Sequence, residues 1–225
     1  MKTNKILTLV IIASCLFIGC SKRPAPKSAE QNMSPAMTLQ QMEEAFAKSS
    51  TPGVEHKLLA SMVGSWNAKV SMWMDPSKPP QVSKGHTVNT LVYGGRFVEM
   101  KYNGDWMGQK FEGTGLWGYD TIGKQYQSTW HDSMGTQIMT SAGKYDPTTN
   151  SLTLSSTESC PMTGGPVNVR EVVTMVDQNK HIFETFRAMP DGSEAKAMEI
   201  VYTREHSCKG CEHKKCKKCK KNKKK

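Results

Sequence analysis

The chain has 225 residues, seven cysteines and a formal charge of +10. That length suits one domain of ordinary size plus tails, large enough to hold a core without disulfides or metal. Residues 208–225 carry ten lysines and one glutamate, which leaves the rest of the chain near neutral and excludes a basic nucleic-acid-binding face on the body.

The first thirty residues, MKTNKILTLVIIASCLFIGCSKRPAPKSAE, have the parts of an export signal: Lys2 and Lys5, an apolar run from residue 6 to 19, then Gly19-Cys20. Fourteen residues make about 21 Å of helix, too short to cross a bilayer. A small residue before Cys resembles a bacterial lipoprotein signal, with residues 1–19 removed and Cys20 acylated. Cys15 competes for that role, but it would leave an apolar CLFIGC at the mature end. Ser21 after the Cys resembles outer-membrane sorting in two-membraned bacteria. The expectation is an exported, membrane-anchored lipoprotein at the outer membrane or the periplasmic face. Residues 20–37 read as a flexible tether.

Thr38 to Gln41 forms a capping box, and Leu39, Met42 and Phe46 follow as one apolar helical stripe. SSTPG at 49–53 breaks it. A second short helix carries Leu58, Leu59, Met62 and Val63 on one face and ends at Gly64. From Trp66 to Arg204 the period becomes two. Trp66, Ala68, Val70, Met72 and Met74 share a face, as do Phe111, Gly113, Gly115, Trp117 and Tyr119. Tyr126, Ser128 and Trp130 repeat the pattern, and so do Val167, Val169, Glu171, Val173 and Met175. Nine breaks, among them DPSKPP, Gly94-Gly95, Asn103-Gly104-Asp105, DPTTN and PDGS, separate about ten strands. Short turns with no intervening helices predict an antiparallel up-and-down barrel, closed because an open sheet would expose two edges. The helix at 55–63 is expected to plug one mouth. The domain is expected to span residues 38–205, with a Cys/Lys-rich tail at 206–225.

The blocks PGVEHKLLASMVGSW, MWMDPSKPP, GGRFVEM, FEGTGLWGYD, PMTGGP and MEIVYTR resemble, in order, the bacterial family called domain of unknown function 1579. The resemblance implies a lipocalin-like barrel and no established activity. Gly-x-Trp on the first strand and an Arg on the last also resemble lipocalins, which implies a structural cation–π pair between Trp66 and Arg204.

No Ser nucleophile elbow, P-loop or HExxH occurs. His131 neighbours Asp132, but adjacent strand residues point to opposite faces, which puts His131 in solvent if Asp132 faces in with Trp130. Glu171 and Glu184 share faces with apolar neighbours, either orienting a polar ligand or pairing with Arg96, Arg170 or Arg187. Trp66, Met72, Phe111, Trp117, Tyr119, Trp130 and Tyr202, with Asp132, Glu171 and Glu184, are the candidate lining residues. Their apolar members serve as core packing, a cavity wall, or both. The tail places Cys208, Cys211, Cys216 and Cys219 at C-x2-C-x4-C-x2-C, enough ligands for zinc. Disulfides are the equal alternative outside the cytoplasm. The lysines around them would attract anionic lipids or envelope polymers. The reading as a whole is a lipoprotein barrel binding a small, largely apolar ligand. The alternatives are an enzyme using interior carboxylates and metal or redox handling by the tail.

Overall fold

In the computed structural model, residues 37–205 are described. The described residues from Gln40 belong to one compact unit, and the unit ending at Leu39 lies almost wholly outside the described residues. The expected signal, Cys20, most of the tether, and Cys208, Cys211, Cys216 and Cys219 also lie outside them.

Helix α1 spans Leu39–Ser50 and buries none of its residues. Helix α2 spans Glu55–Ser61 and buries His56 and Leu59. Ten strands follow: β1 (Gly64–Met72), β2 (Gln81–Val92), β3 (Phe97–Trp106), β4 (Gln109–Asp120) and β5 (Gln125–Asp132). The second half holds β6 (Met139–Asp146), β7 (Ser151–Cys160), β8 (Gly165–Asp177), β9 (Lys180–Ala188) and β10 (Glu194–Arg204). Each strand pairs antiparallel with its sequence neighbours, and β10 returns to β1 from Trp66↔Arg204 to Met72↔Met198. The barrel is closed, so no strand is an edge strand, although the β6–β7 ladder is formed over only part of its length.

Turn chemistry explains the hairpins. Asp120 accepts from the amides of Ile122 and Gly123, and Asp146 accepts from the amide of Thr148, so GYDTIGK and KYDPTTN close alike. One expected break moves. Strand β3 runs through Asn103-Gly104-Asp105, and the chain reverses at Met107-Gly108, both at positive φ. Gly104 is there for space instead, since a Cβ would lie 2.7 Å from the Tyr102 ring. Strand β1 likewise stops at Met72, which leaves Met74 outside it and exposed.

The two ends of the barrel differ. At one end α2 packs on β3 and β4, and Leu59 and Met62 join Val98, Trp117, Tyr126, Leu152, Leu154 and Val173 in a buried cluster. We call this the plugged end. The strand order puts the turns after β1, β3, β5, β7 and β9 at the other, open end.

Candidate functional site

The plugged end is locked by hydrogen bonds around Trp66 and Arg204. The Arg204 guanidinium lies 3.9 Å from the Trp66 ring centroid. It donates to the carbonyls of Val63 (2.6 Å), Ser61 (2.9 Å) and Gln178 (2.8 Å), while the Trp66 indole donates to Met62 at 2.9 Å. Asn89 donates to the same Met62 carbonyl and accepts from Thr87. His181 is buried between Trp66 and Tyr202, stacked on the latter at 4.5 Å. Burial, with the Arg204 charge adding to it, pushes the His181 pKa down to about 4. An imidazole held neutral among aromatic rings with Arg204 beside it is a packing element.

The open half has a different character. Tyr102, Phe111 and Trp130 form an aromatic cluster, with Phe111 and Trp130 nearly parallel at 6.5 Å and Tyr102 edge-on to both. These rings lie over glycines: a Cβ on Gly85 would meet the Tyr102 hydroxyl at 1.9 Å, and one on Gly113 would meet Trp130 at 2.2 Å. Trp130 donates its indole N–H to Asp132, which also accepts from the Met134 amide. Asp132 is thereby committed to holding the rim. His131 is exposed.

Polar groups enter this half from β5 to β9. Ser128 and Ser141 share a hydrogen bond of 2.7 Å, and Ser141 donates to Glu171 at 3.0 Å. Glu171 is 9% exposed, and burial pushes its pKa up to about 7, against the opposing Ser141 hydrogen bond and with the Glu158 charge adding to the rise. Glu158 follows Leu154 and Ser156 on the inward face of β7. Its pKa is raised by burial, opposed by the Arg187 charge and a hydrogen bond from Ser156. Arg187 lies opposite the buried Val169 and on the inward alternation of β9 with His181 and Phe183. Among the described residues it makes no hydrogen bond and no ion pair. The wall is also split here. The β6–β7 ladder ends at Ala142↔Ser155, and beyond it Thr140 and Ser141 face Ser156 and Thr157 unpaired. A groove of about 810 Å³ lies on the outer face of that seam, lined mainly by outward residues such as Thr129, Thr140, Thr157, Arg170 and Glu194, and it reaches Ser128, Ser141 and Ser156 between the separated strands.

The candidate lining residues therefore divide. Phe111, Trp130, Tyr202 and Glu171 belong to the open half or its floor, and Met72 pairs opposite Met198 on the adjoining wall. Trp117 and Tyr119 pack at the plugged end, Tyr119 edge-on to Tyr126 and His56. Glu184 faces outward, contrary to the expectation. It pairs with Lys196, which also binds Glu199, on the outer surface shared with Phe186 and Arg170. Apolar residues on both faces of β9 hid its true side. Tyr102, Ser141 and Glu158 do not appear among the sequence candidates, and Arg187 appears there only as a possible salt-bridge partner of the carboxylates, although strict alternation from Leu154 points Glu158 inward.

Together these features define a closed ten-stranded antiparallel barrel, plugged at one end, with an aromatic and partly charged open half. The family model described as "Protein of unknown function (DUF1579)" matches residues 51–204, and the chain belongs to that family. No curated protein matches the chain. Among solved structures, Rv2717c from M. tuberculosis is similar at 12% identity and TM-score 0.49, covering 69% of this chain and 100% of that one. The S-type phycobiliprotein lyase CPES from Guillardia theta is similar at 11% identity and TM-score 0.46, covering 72% and 97%. A redesigned beta barrel is similar at 14% identity and TM-score 0.34, covering 67% and 95%.

Proposed function

We propose that the barrel binds a small, largely apolar molecule with one polar head, in the open half of its interior. The observation that carries this reading is Arg187, an inward, partly buried guanidinium with no hydrogen-bonding partner among the described residues. No buried side-chain donor among the described residues lacks a partner, so water reaches the five guanidinium donors, and in this reading a ligand head that accepts hydrogen bonds takes the place of that water. The apolar body lies against Tyr102, Phe111 and Trp130. In this reading the protein works in the cell envelope. Residues 1–19 are its export signal, Cys20 is its acylated anchor, and the lysine tail meets anionic lipids or envelope polymers.

The test is mass spectrometry of the full chain purified from the envelope, followed by titration with amphiphiles. Copurification of a small molecule that Arg187→Met loses about tenfold or more supports the reading. A barrel with neither a copurified nor a titratable ligand overturns it. A second reading, an enzyme with Glu171 as acid or base, is favoured by the pKa of about 7 at the end of the serine relay. Glu171→Gln that keeps the ligand but loses turnover would select it. Zinc or redox handling by Cys208, Cys211, Cys216 and Cys219 rests on their spacing alone. Thiol and metal analysis of the full chain against one ending at Ser207 tests it.

A further inference from the structure

Three segments that meet at the plugged end expose large apolar side chains. Phe46 on α1 is 75% exposed, Tyr93 in the β2–β3 turn 74%, and Ile122 in the β4–β5 turn 79%. Their juxtaposition is built, not incidental. Thr121 donates to the Ser49 carbonyl at 2.6 Å. Arg96 donates both to the Ser50 carbonyl (2.8 Å) and to the Tyr93 carbonyl (2.9 Å), tying the end of α1 to both turns. Met42 continues the apolar face one turn back along α1, and Val54 lies just beyond its end, both exposed. Single exposed apolar residues need no explanation, whereas three on segments hydrogen-bonded to one another form a candidate interaction surface.

Charge and connectivity point to what covers it. The described chain ends at the plugged end, since β10 finishes beside Trp66 with Arg204. The sequence that continues from there carries ten lysines against Glu212 alone. Helix α1 itself has Glu43 and Glu44 against Lys48, so it is not drawn to anionic lipid by its own charge. The division of labour is that of weak membrane binders, in which a modest apolar contact and a polybasic segment act together. The open end is a rival, because Met74, Met107, Met134, Met162 and Met189 are exposed on its five turns. Those turns and the strand ends beside them, however, carry Asp75, Asp105, Asp132, Asp191 and Glu194 against Lys78, Lys110 and Arg187, with Glu194 paired to Arg170, and no polybasic segment continues from that end.

We propose that the plugged end, through Met42 and Phe46 of α1 and the Tyr93 and Ile122 turns, docks on an anionic lipid bilayer, with the open end facing away. This goes beyond the ligand-binding reading and does not depend on it. Hydrogen exchange of the full chain on vesicles of phosphatidylcholine, with and without phosphatidylglycerol, reads the orientation directly. Amides in residues 42–50, 91–97 and 119–124 are expected to slow about tenfold or more on the anionic vesicles. The open-end turns at 73–80, 106–109 and 132–139 are expected to keep their solution rates. Phe46→Ser, at an exposed position that leaves the fold intact, is expected to lower that protection about tenfold. Protection at the open-end turns, equal protection on phosphatidylcholine alone, or no protection overturns the proposal. So does α1 protection that rises with protein concentration in the absence of vesicles, which would make a second copy the occupant.

Discussion

Replacing Glu171 with Gln isolates the cost of a carboxylate inside the barrel wall. The side chain is 9% exposed and its pKa stands at about 7, against 4.5 for an ordinary glutamate. A carboxyl whose folded pKa lies above its unfolded one binds more protons when folded. The penalty is therefore absent below about pH 4.5, grows between 4.5 and 7, and is complete above 7. A rise of that size corresponds to about 3 kcal/mol. Gln keeps an oxygen to accept the Ser141 hydrogen bond and carries no charge. Glu171→Gln should therefore match the wild type near pH 4.5 and exceed it by about 3 kcal/mol at about pH 8.5, roughly 6–12 °C in Tm. Glu158 is present in both proteins, so its own pH dependence largely cancels. Thermal melts across pH measure the difference. A variant no more stable than the wild type at alkaline pH, or one destabilised equally at every pH, would refute a buried ionised Glu171.

His181 should show the opposite sign. Its folded pKa of about 4 lies below the ordinary 6.5, so its contribution is full above 6.5 and lost as pH falls toward 4. His181→Phe retains the ring stacked on Tyr202 and should gain about 2–3 kcal/mol on the wild type between pH 7 and 4.5. Urea titrations at the two pH values that show a constant gap would disprove this. Gly85→Ala should cost about 1–3 kcal/mol, because its Cβ would lie 1.9 Å from the Tyr102 hydroxyl and drive the ring out of place. Gly135→Ala, with nothing within 4 Å, should stay within about 0.5 kcal/mol of wild type. Equal urea midpoints for the two variants would mean that Tyr102 does not lie over Gly85.

Much of the fold was legible because its signals are local. Period-two alternation with Asp- and Gly-bearing turns identified the strands, and α2 with its C-terminal neighbour carried the plug residues Leu58, Leu59 and Met62. The turn at Asn103-Gly104-Asp105 was misplaced because Asn-Gly is a strong hairpin signal, whereas this Gly serves the Tyr102 ring lying across the sheet. Glu184 was misassigned because β9 is apolar on both faces. Outward Phe186 is covered by Arg170 at 4.1 Å and approached by Lys196, contacts that come from β8 and β10. The site was less legible than the fold. Glu171 could be singled out from its own strand, but Ser141, Glu158 and Arg187 gain meaning only from one another.

By itself, the sequence determined the antiparallel, sequential strand order, the family to which residues 51–204 belong, and the concentration of charge in the tail. These follow from residue periods and composition, which act over a few neighbours at a time. The tertiary structure alone decided which face of β9 points inward, where the β6–β7 ladder opens, and that Arg187 reaches the interior near Glu158 without a hydrogen bond among the described residues. It also decided that Phe46, Tyr93 and Ile122 share one end. Closing the barrel brings strands together that are distant in sequence, and the electrostatics of a buried carboxyl depend on that through-space neighbourhood.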